Sequence, residues 1–310
     1  MTVLLTVKNS SGTVTAEERV LDFSFRKDVY IPYTELSARA EAESGSFDNA
    51  AEVLLSIDGN TVHHGLIDSL RLEKKGGKSL VRISSRGFTS LLCQNQIEPG
   101  LKMNISFNSL MDDYFTLPYV EHEYNSDSSS YIYIRPNTSM WDAAANLSYK
   151  LLGTYPYIKG TNRVMISPAA APGTFDLSSR EIIAMGAGLM YSRLASDYHM
   201  ADMGGSYGTF DLHDADVSAR RIVRHKYFDL DMRFLYDPQQ ALAYRDKFDS
   251  RGLAERYCSY SGYCGEDLCD LVSFGSVTAQ PVGSLSIKGS RRGIFTETGV
   301  YTDRFPHSQT

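Results

Sequence analysis

The segment formed by residues 52–86 constrains the fold more than any other part of the chain, because apolar and polar residues alternate there between tight-turn signals. Asp58-Gly59 and Gly76-Gly77 supply the positive φ angles that hairpin turns require. The pattern predicts an antiparallel β-meander in which residues 62–67 and residues 70–72 form separate runs. Its apolar positions are Val53, Leu55, Ile57, Val62, Leu66, Ile67, Leu70, Leu72, Val81 and Ile83.

Length and composition indicate a folded, β-rich protein of about two domains or three small ones. A chain of 310 residues buries roughly 75% of its unfolded surface, so full hydrophobic cores are feasible. The 20 tyrosines and 14 phenylalanines favour strands and protein contact surfaces. The formal net charge is -6 and Lys and Arg form no dense block, which argues against specific nucleic-acid binding because phosphates require a clustered positive face.

The sequence predicts a protein that does not insert into a membrane by itself. No segment reaches the roughly 20 apolar residues that a membrane-spanning helix needs. The short apolar run at residues 1–7 lacks the preceding basic residues of a signal peptide. We therefore expect folding in a cytosol, where thiols stay reduced.

The four cysteines raise the question of a metal site. Cys93 lies far in sequence from Cys258, Cys264 and Cys269, which are the only candidate ligands for zinc or an iron-sulfur cluster. Their spacings of five and four intervening residues do not match a C-x-x-C knuckle. The favoured interpretation is therefore buried structural thiols, with no metal and no cofactor.

Residues 1–105 are predicted to form a first β domain. They contain only strand-like runs, including residues 20–25 and the aromatic-rich residues 29–33.

Residues 106–172 are predicted to form a second domain, of α/β type. Helical spacing is found at residues 106–117, and a second helix is expected to begin at Thr138 or Ser139 and to end at Gly153. A hairpin of residues 155–158 and 164–166 follows. The buried face of the second helix is predicted to consist of Trp141, Ala144, Ala145, Leu151 and Leu152.

Residues 173–310 are predicted to form a second β domain that carries one helix at about 238–251. Asp237 can cap this helix and Pro238 can occupy its first position, where the missing N–H costs nothing. A glycine-rich loop is expected at residues 204–208. Strands are predicted at residues 189–194, 209–212, 223–230, 256–260, 268–274, 284–287, 293–298 and 300–305.

Catalytic motifs are few and loosely matched. Residues 204–208 formally match the G-x-S-x-G nucleophile elbow, and His213 and His225 follow. That elbow needs a strand before it and a helix after it, whereas a second strand is expected here, so a hairpin tip is favoured. His63 and His64 are adjacent in a strand and point to opposite faces. H-E-x-x-H and Walker A motifs are absent from the sequence, although a carboxylate pair of glycosidase type stays open.

Three segments carry a resemblance to a known family: AEVLLSIDGNTVHHGLIDSLRLEKKGGKSLVRISSRGFTSLL, NTSMWDAAANLSYKLLGTYPYIKGTNRVMI and EDLCDLVSFGSVTAQPVGSLSIKGSRRGIFTETGVYT. In these segments the chain resembles the baseplate hub family of contractile phage tails and phage-tail-like bacteriocins, which is related to the hub part of type VI secretion spikes. Arg86-Gly87 matches the family's strand end, and Thr296, Gly299 and Thr302 match its last hairpin. Cys269 departs from the pattern, since relatives often carry Gly there.

The resemblance implies an α+β, mainly β fold of two tube-like antiparallel β-barrels with an α/β insertion domain between them. It also implies a homotrimer whose six barrels form a pseudo-sixfold ring. In this ring the first barrel of each chain contacts the second barrel of the next chain. The implied partners are the tail tube protein, the central spike protein, the tape measure protein and other baseplate proteins. The ring would assemble in a bacterial cytoplasm and become part of a virion or tailocin baseplate, with no enzymatic activity.

Two other functions stay open from the sequence. One is a tail-associated cell-wall hydrolase, and the other is a carbohydrate-binding module for host recognition. Activity on peptidoglycan would support the first, and glycan binding would support the second.

Overall fold

The computed structural model describes residues 1–41, 47, 49–231 and 237–304. The protein is 49% strand and 17% helix, which confirms the mainly β class. The strands are β1 (Val3–Asn9), β2 (Val14–Asp28), β3 (Glu35–Glu41), β4 (Ala50–Ile57), β5 (Asn60–Lys75), β6 (Lys78–Gly87), β7 (Gly100–Ser106), β8 (Glu121–His122), β9 (Ser128–Ile134), β10 (Tyr157–Lys159), β11 (Arg163–Met165), β12 (Thr174–Asp176), β13 (Ile182–Leu189), β14 (Asp197–Met200), β15 (Phe210–His213), β16 (His225–Phe228), β17 (Ala254–Ser261), β18 (Leu271–Phe274), β19 (Val277–Ser290) and β20 (Gly293–Thr302). The helices are α1 (Leu91–Gln94), α2 (Phe107–Tyr114), α3 (Met140–Leu152), α4 (Ala215–Ala219) and α5 (Pro238–Asp249), with 3₁₀ turns at Phe88–Ser90 and Leu177–Ser179.

Six N-terminal strands pair in a closed circuit, in the order β1, β4, β5, β6, β3, β2 and back to β1. Alternate side chains of these strands point inward and form one hydrophobic core, as expected for strands with one buried face. Leu5, Phe25 and Leu55 are at most 1% exposed in it. Gly65 lies opposite Gly87, and a Cβ atom on Gly65 would lie 2.2 Å from the carbonyl oxygen of Arg86. Glycine is therefore required where β5 and β6 approach each other.

The predicted meander is present, but its two middle runs belong to one strand. Strand β5 extends from Asn60 to Lys75, and its register with β6 shifts between Ile67 and Ser69. A shift of this kind inverts the alternation of inward and outward side chains along the strand. The apolar pattern is therefore interrupted, and the sequence suggests two strands where there is one. The two turns are as predicted, with positive φ at Asp58, Gly59, Gly76 and Gly77.

The strand predicted at residues 29–33 is wrong. These residues form the turn between β2 and β3, in which the Asp28 side chain accepts a hydrogen bond from the Tyr30 N–H at 2.8 Å and the Asp28 carbonyl accepts one from Ile31 at 3.1 Å. The aromatic residues that suggested a strand serve packing instead, since Tyr30 stacks on Tyr301 with ring centroids 5.8 Å apart.

The C-terminal strands repeat the arrangement of the N-terminal strands. Sheet order is β5-β6-β3-β2 in the first half and β19-β20-β17-β13 in the second. Each half contains a three-strand meander with a long middle strand, β4-β5-β6 in the first half and β18-β19-β20 in the second. The first part of β5 pairs with β4 and its later part with β6; likewise, the first part of β19 pairs with β18 and its later part with β20. Pairing of β2 with β19 joins the halves into one run of eight antiparallel strands, β5-β6-β3-β2-β19-β20-β17-β13.

Two strand predictions in the C-terminal half need correction. The strand expected at residues 189–194 lies earlier, at Ile182–Leu189, because Ala184, Gly186 and Gly188 dilute its apolar pattern. The strands expected at 293–298 and 300–305 are one strand, β20, although Phe305 lies outside the described residues. Strand β14 and helix α4 have no counterpart among the predictions.

The two predicted helices of residues 106–153 are present; the first ends earlier than predicted, at Tyr114, and the second has its predicted caps. Ser106 and Ser109 form a capping box at α2, the Ser139 side chain accepts from the Asp142 N–H at α3, and Gly153 ends α3 at φ 65°. Ala144 is fully buried and Trp141 is half-buried against the same core, whereas Leu152 is 38% exposed and is not part of the buried face.

The core beneath these helices also includes residues that precede them. Leu92, Ile97 and Ile105 pack with α2 and α3, and β7 pairs with β9. None of the helices within the described ranges has the length and apolar character to cross a bilayer.

Candidate assembly surface

The outer face of the eight-strand run is polar and nearly continuous. Cross-strand register places Ser84, Ser37, Ser24 and Lys288 side by side on four successive strands. The serines of this face are Ser24, Ser37, Ser69, Ser84, Ser259, Ser284 and Ser286. Their small hydroxyl side chains leave a smooth hydrated surface, with a groove of about 430 Å³ along Ser24, Ser37 and Ser84.

Charges on this polar face are balanced in number, and two ion pairs join four of them. Its acidic side chains are Asp22, Asp28, Glu35, Asp68, Glu255 and Glu297, and its basic side chains are Arg26, Arg39, Arg71, Arg82, Arg86 and Lys288. Arg86 donates two hydrogen bonds to Asp68, at 2.8 and 2.7 Å, and Arg39 pairs with Asp22. Burial raises the pKa of Glu255, which accepts a hydrogen bond from the Ser284 hydroxyl at 3.0 Å. The face therefore has no excess of either sign.

Both ends of the eight-strand run have unpaired edges among the described residues. Strand β13 pairs only with β17, and the part of β5 beyond Asp68 pairs only with β6. Ile183, Met185 and Met190 are 53, 54 and 55% exposed, and residues 182–192 contain no charge and no proline. Soluble proteins normally protect such an edge with charges or proline, so a bare apolar edge is typical of a strand that another chain covers.

A buried group of charges joins the three parts of the chain. Lys27 of β2 pairs with Asp267 and donates to the Gly160 carbonyl at 2.6 Å, while Lys159 donates to Asp270 at 2.7 Å. Burial lowers the pKa of Lys27, and the neighbouring Asp267 opposes that effect. Removal of Asp267 would leave the buried Lys27 charge without its ion-pair partner, which is destabilising.

Aromatic rings form a second connection around Arg251. The guanidinium carbon lies 3.5 Å from the ring centroid of Phe248, 4.9 Å from that of Tyr155 and 5.0 Å from that of Tyr30. These rings come from α5, the α/β region and the β2–β3 turn, so cation–π contacts connect distant segments. Tyr30 also donates to Asp303 at 2.9 Å.

The G-x-S-x-G segment is a hairpin tip, as the favoured interpretation predicted. It connects β14 to β15, with no helix after it, and Asp202 accepts hydrogen bonds from the N–H groups of Gly204 and Ser206 at 2.8 and 2.9 Å. The Asp197 carboxylate accepts a hydrogen bond from the His213 ring at 2.7 Å, on the strands that the tip connects. The segment lacks the strand–turn–helix context of a nucleophile elbow.

His63 and His64 point to opposite sides, as predicted. His63 is fully buried between the hydroxyls of Thr34 and Ser85, each at 2.8 Å, and burial lowers its pKa to about 3. His64 lies 3.1 Å from a Glu52 carboxylate oxygen. Thr34, His63 and Ser85 are at most 1% exposed, so this Ser–His pair is a hydrogen-bonded part of the core.

The three candidate metal ligands lie in one hydrophobic cluster. Cys258 is fully buried in β17, and Cys264 and Cys269 are half-buried. Burial raises the pKa of Cys258 and of Cys269 to about 11, which disfavours the thiolate that a metal requires. Across the described ranges, no three His, Cys, Asp or Glu side chains are grouped so that they could hold a metal ion.

Cys269, where the sequence departs from the pattern that it resembles, lies in a turn before β18. Its φ is 63°, in the left-handed region that glycine adopts without cost, and its N–H donates to the Val282 carbonyl at 2.9 Å. The turn thus keeps the expected geometry despite the side chain.

A row of histidines on the small sheet of β14, β15 and β16 was missed by the sequence analysis. His199 contacts Asp211 at 2.6 Å and His225 at 3.1 Å, and the pKa of Asp197 is lowered by hydrogen bonds from Ser196 and from His213. The available signal was the alternation D-x-H at 197–199 and 211–213.

Comparison with known proteins places the fold among tail proteins. No protein-family model matches the chain, and no curated protein matches it in sequence. Among solved structures, the prophage MuSo2 43 kDa tail protein from Shewanella oneidensis is similar with a TM-score of 0.68 and 12% identity over 98% of both chains. A tail protein from Neisseria meningitidis MC58 has a TM-score of 0.68 and 16% identity over 98% of this chain and 97% of that one.

A third similar structure is a chain of the Francisella PdpA-VgrG complex. Its TM-score is 0.53 at 8% identity, and the match covers all of this chain and 59% of that one. These likenesses confirm, at the level of the fold, the resemblance to tail and spike hub proteins that the sequence predicted.

Proposed function

We propose that this chain is a structural hub of a phage-type tail, in which three copies form a pseudo-sixfold ring between a hexameric tail tube and a trimeric spike. The observation that carries the proposal is the eight-strand run, which repeats one four-strand order twice and, among the residues that the structure describes, ends in an unpaired β13 edge and in an unpaired edge of β5 beyond Asp68. A chain with two equivalent units supplies six units when three copies close around an axis.

Ring closure follows from strand directions. Neighbouring strands of the run are antiparallel throughout, and their number is even, so β13 of one copy would run antiparallel to β5 of the next copy. Pairing of these two edges would cover the exposed Met185 and satisfy the free backbone groups of β13. Unit two of one copy then contacts unit one of the next, which is a heterologous contact.

The registers also suit a closed barrel. Ser84 of β6 and Phe295 of β20 lie on one cross-strand row, four strands apart. Ser84 lies seven residues after Gly77, the last residue of the β5–β6 turn, whereas Phe295 lies three residues after Arg292, the last residue of the β19–β20 turn. The difference of four residues over four strands is one residue per strand, which corresponds to a strand tilt of about 35°. Twenty-four strands at that tilt would enclose a barrel about 45 Å across between backbones. The polar face would line this channel, and its balanced charges suit a conduit that does not retain its cargo.

Within this proposal the chain divides into two barrel units and an insertion. We set the first boundary at residue 87 rather than at 105, because Leu92, Ile97 and Ile105 pack in the core of the insertion. The insertion then covers residues 88–172, and the second unit covers residues 173–310 with α5 in a side lobe. The tube, spike and tape measure proteins are the proposed partners, in a particle assembled in a bacterial cytoplasm. The proposal assigns no catalytic group, metal or cofactor.

The test is a comparison of two methionine substitutions. Met185→Lys places a charge on the β13 edge, whereas Met203→Lys places the same charge on a loop residue that is 95% exposed. We expect wild type and Met203→Lys to form trimers by mass photometry, and Met185→Lys to raise the dissociation constant about tenfold or more. Matching far-ultraviolet circular dichroism spectra of the three proteins establish that the fold is retained, because the melting temperature itself depends on assembly. Twofold dimers, a wild type that stays monomeric, or unchanged assembly of Met185→Lys would contradict the proposal.

A further inference from the structure

Two hairpin tips concentrate positive charge in an otherwise acidic chain. Residues 71–78, at the β5–β6 turn, contain four basic residues and one acidic residue, and residues 288–292, at the β19–β20 turn, contain three basic residues. Each tip therefore has a formal charge of +3, which leaves -12 for the rest of a chain whose net charge is -6. Lys74, Lys78, Arg291 and Arg292 are all exposed.

The two tips lie at the same end of the eight-strand run. Strand β5 runs toward its tip, and the strictly antiparallel order through β6, β3 and β2 makes β19 run toward its tip in the same direction. The tips also occupy equivalent places, because β5–β6 and β19–β20 are the first two strands of each repeated four-strand order.

The end of the run opposite the tips carries two lobes instead of short turns. The chain leaves β6 there for residues 88–172 and leaves β13 there for residues 190–253, and these two lobes have unlike folds. The end with the lobes can therefore have only threefold symmetry in a trimer, whereas the end with the tips can approximate sixfold symmetry.

Local ion pairs do not remove the charge of the tips. Lys78 contacts Glu41 at 2.6 Å and Arg71 contacts Glu73 at 3.1 Å, but these are exposed pairs, which are weak and screened by salt. Beside the second tip a cavity of about 280 Å³ is lined by Arg39, Arg291 and Arg292, with Asp22 as its acidic residue. Lys74, Lys78, Arg291 and Arg292 thus present exposed cations at the tips, while Arg71 and Lys288 also belong to the polar face.

We propose that the six basic tips of a trimer form the rim that docks on a sixfold protein ring, and that the docked face of that ring is acidic. This inference rests on the proposed function and gives the ring a direction, with the tips toward the tube and the lobes toward the spike. Six separate tips, roughly 22 Å apart on a rim about 45 Å across, match six repeated acidic patches better than the continuous phosphate line of a duplex. Opposite charges would steer the rings together and fix their register.

Charge-reversed double variants test the rim. Lys74→Glu/Lys75→Glu changes the first tip and Arg291→Glu/Arg292→Glu changes the second, while Arg220→Glu/Arg221→Glu makes the same change of net charge in the lobe of residues 190–253. Fluorescence anisotropy at low salt measures binding of labelled poly-L-glutamate and of labelled duplex DNA, and mass photometry measures trimer formation. We expect wild type to bind polyglutamate, each tip variant to bind it about tenfold or more weakly, and the lobe variant to bind it like wild type.

The other outcomes would contradict either the rim or the ring. A trimer that does not bind polyglutamate, or an equal loss in the lobe variant, overturns the rim but leaves the ring. Tighter binding of duplex DNA than of polyglutamate, lost in the tip variants, makes the tips a nucleic-acid surface instead. A monomeric wild type overturns the ring and with it the sixfold rim.

Discussion

At Cys269, where the backbone is left-handed, we expect glycine to give a more stable protein than alanine, and at Cys93 we expect the opposite order. Cys269 has a φ of 63° between Asp267 and Asp270, the two acids that hold Lys27 and Lys159. Replacement by Gly and replacement by Ala remove the same thiol, but only Gly also removes the strain of a Cβ atom in this conformation. Comparison of the two variants therefore isolates the backbone.

The expected difference follows from two opposing effects. A left-handed conformation costs an L-residue about 1–2 kcal/mol, while glycine loses about 0.5–1 kcal/mol more chain entropy on folding than alanine. Cys269→Gly should therefore be more stable than Cys269→Ala by about 0.5–1 kcal/mol. In a chain of this size that difference raises the melting temperature by about 1–1.5 °C.

Cys93 provides the matched control. It is an exposed residue of helix α1, with right-handed backbone, so the preference is reversed there and Cys93→Ala should be more stable than Cys93→Gly by up to about 1 kcal/mol. Urea denaturation followed by circular dichroism measures all four free energies of unfolding. Alanine at position 269 matching or exceeding glycine would refute the argument that the turn geometry, rather than the thiol, makes this position demanding.

Three further substitutions, and Lys78→Met as a control, test the cores and the connection between the parts. Burial lowers the pKa of His63 from 6.5 to about 3, so the unfolded chain takes up a proton in that range and the folded chain does not. Stability should therefore fall as pH falls from about 6.5 toward 3, by up to about 1.4 kcal/mol per pH unit, and His63→Gln should lose this part of the slope in urea titrations. Lys27→Met should cost about 3 kcal/mol because it leaves Asp267 without its buried partner, whereas Lys78→Met, on an exposed pair, should leave unfolding nearly unchanged. Trp141→Ala should cost about 2–3 kcal/mol for a half-buried ring, and wild-type emission equal to that of free tryptophan in water would contradict the packing.

Local features of the fold were predictable because local physics decides them. The turns at Asp58-Gly59 and Gly76-Gly77 require positive φ, and the caps at Ser139 and Asp237 satisfy free N–H groups at helix starts. Such signals act over a few residues, so a single sequence contains them.

Features that depend on distant pairing were not predictable. Strand β13 contains Ala184, Gly186 and Gly188, which rarely favour strands, and it forms because it pairs with β17 seventy residues later. Gly186 is required there because a Cβ atom would lie 2.5 Å from the Tyr257 hydroxyl.

The candidate assembly surface was hidden for the same reason. The two basic tips were visible in the sequence only as isolated pairs, and the repeat that makes them equivalent exists in strand order and not in residue identity. Family resemblance indicated a ring former, whereas the edges that could close the ring became visible only once β5 and β13 were known to end one sheet.

A cryo-electron microscopy map of the assembled oligomer, at a resolution that separates strands, tests the central claim most directly. The account predicts three copies around one axis, an inner barrel of 24 antiparallel strands, eight from each copy, and β13 of every copy paired with β5 of the next. A twofold oligomer, or a ring in which β13 has no strand partner, would contradict it.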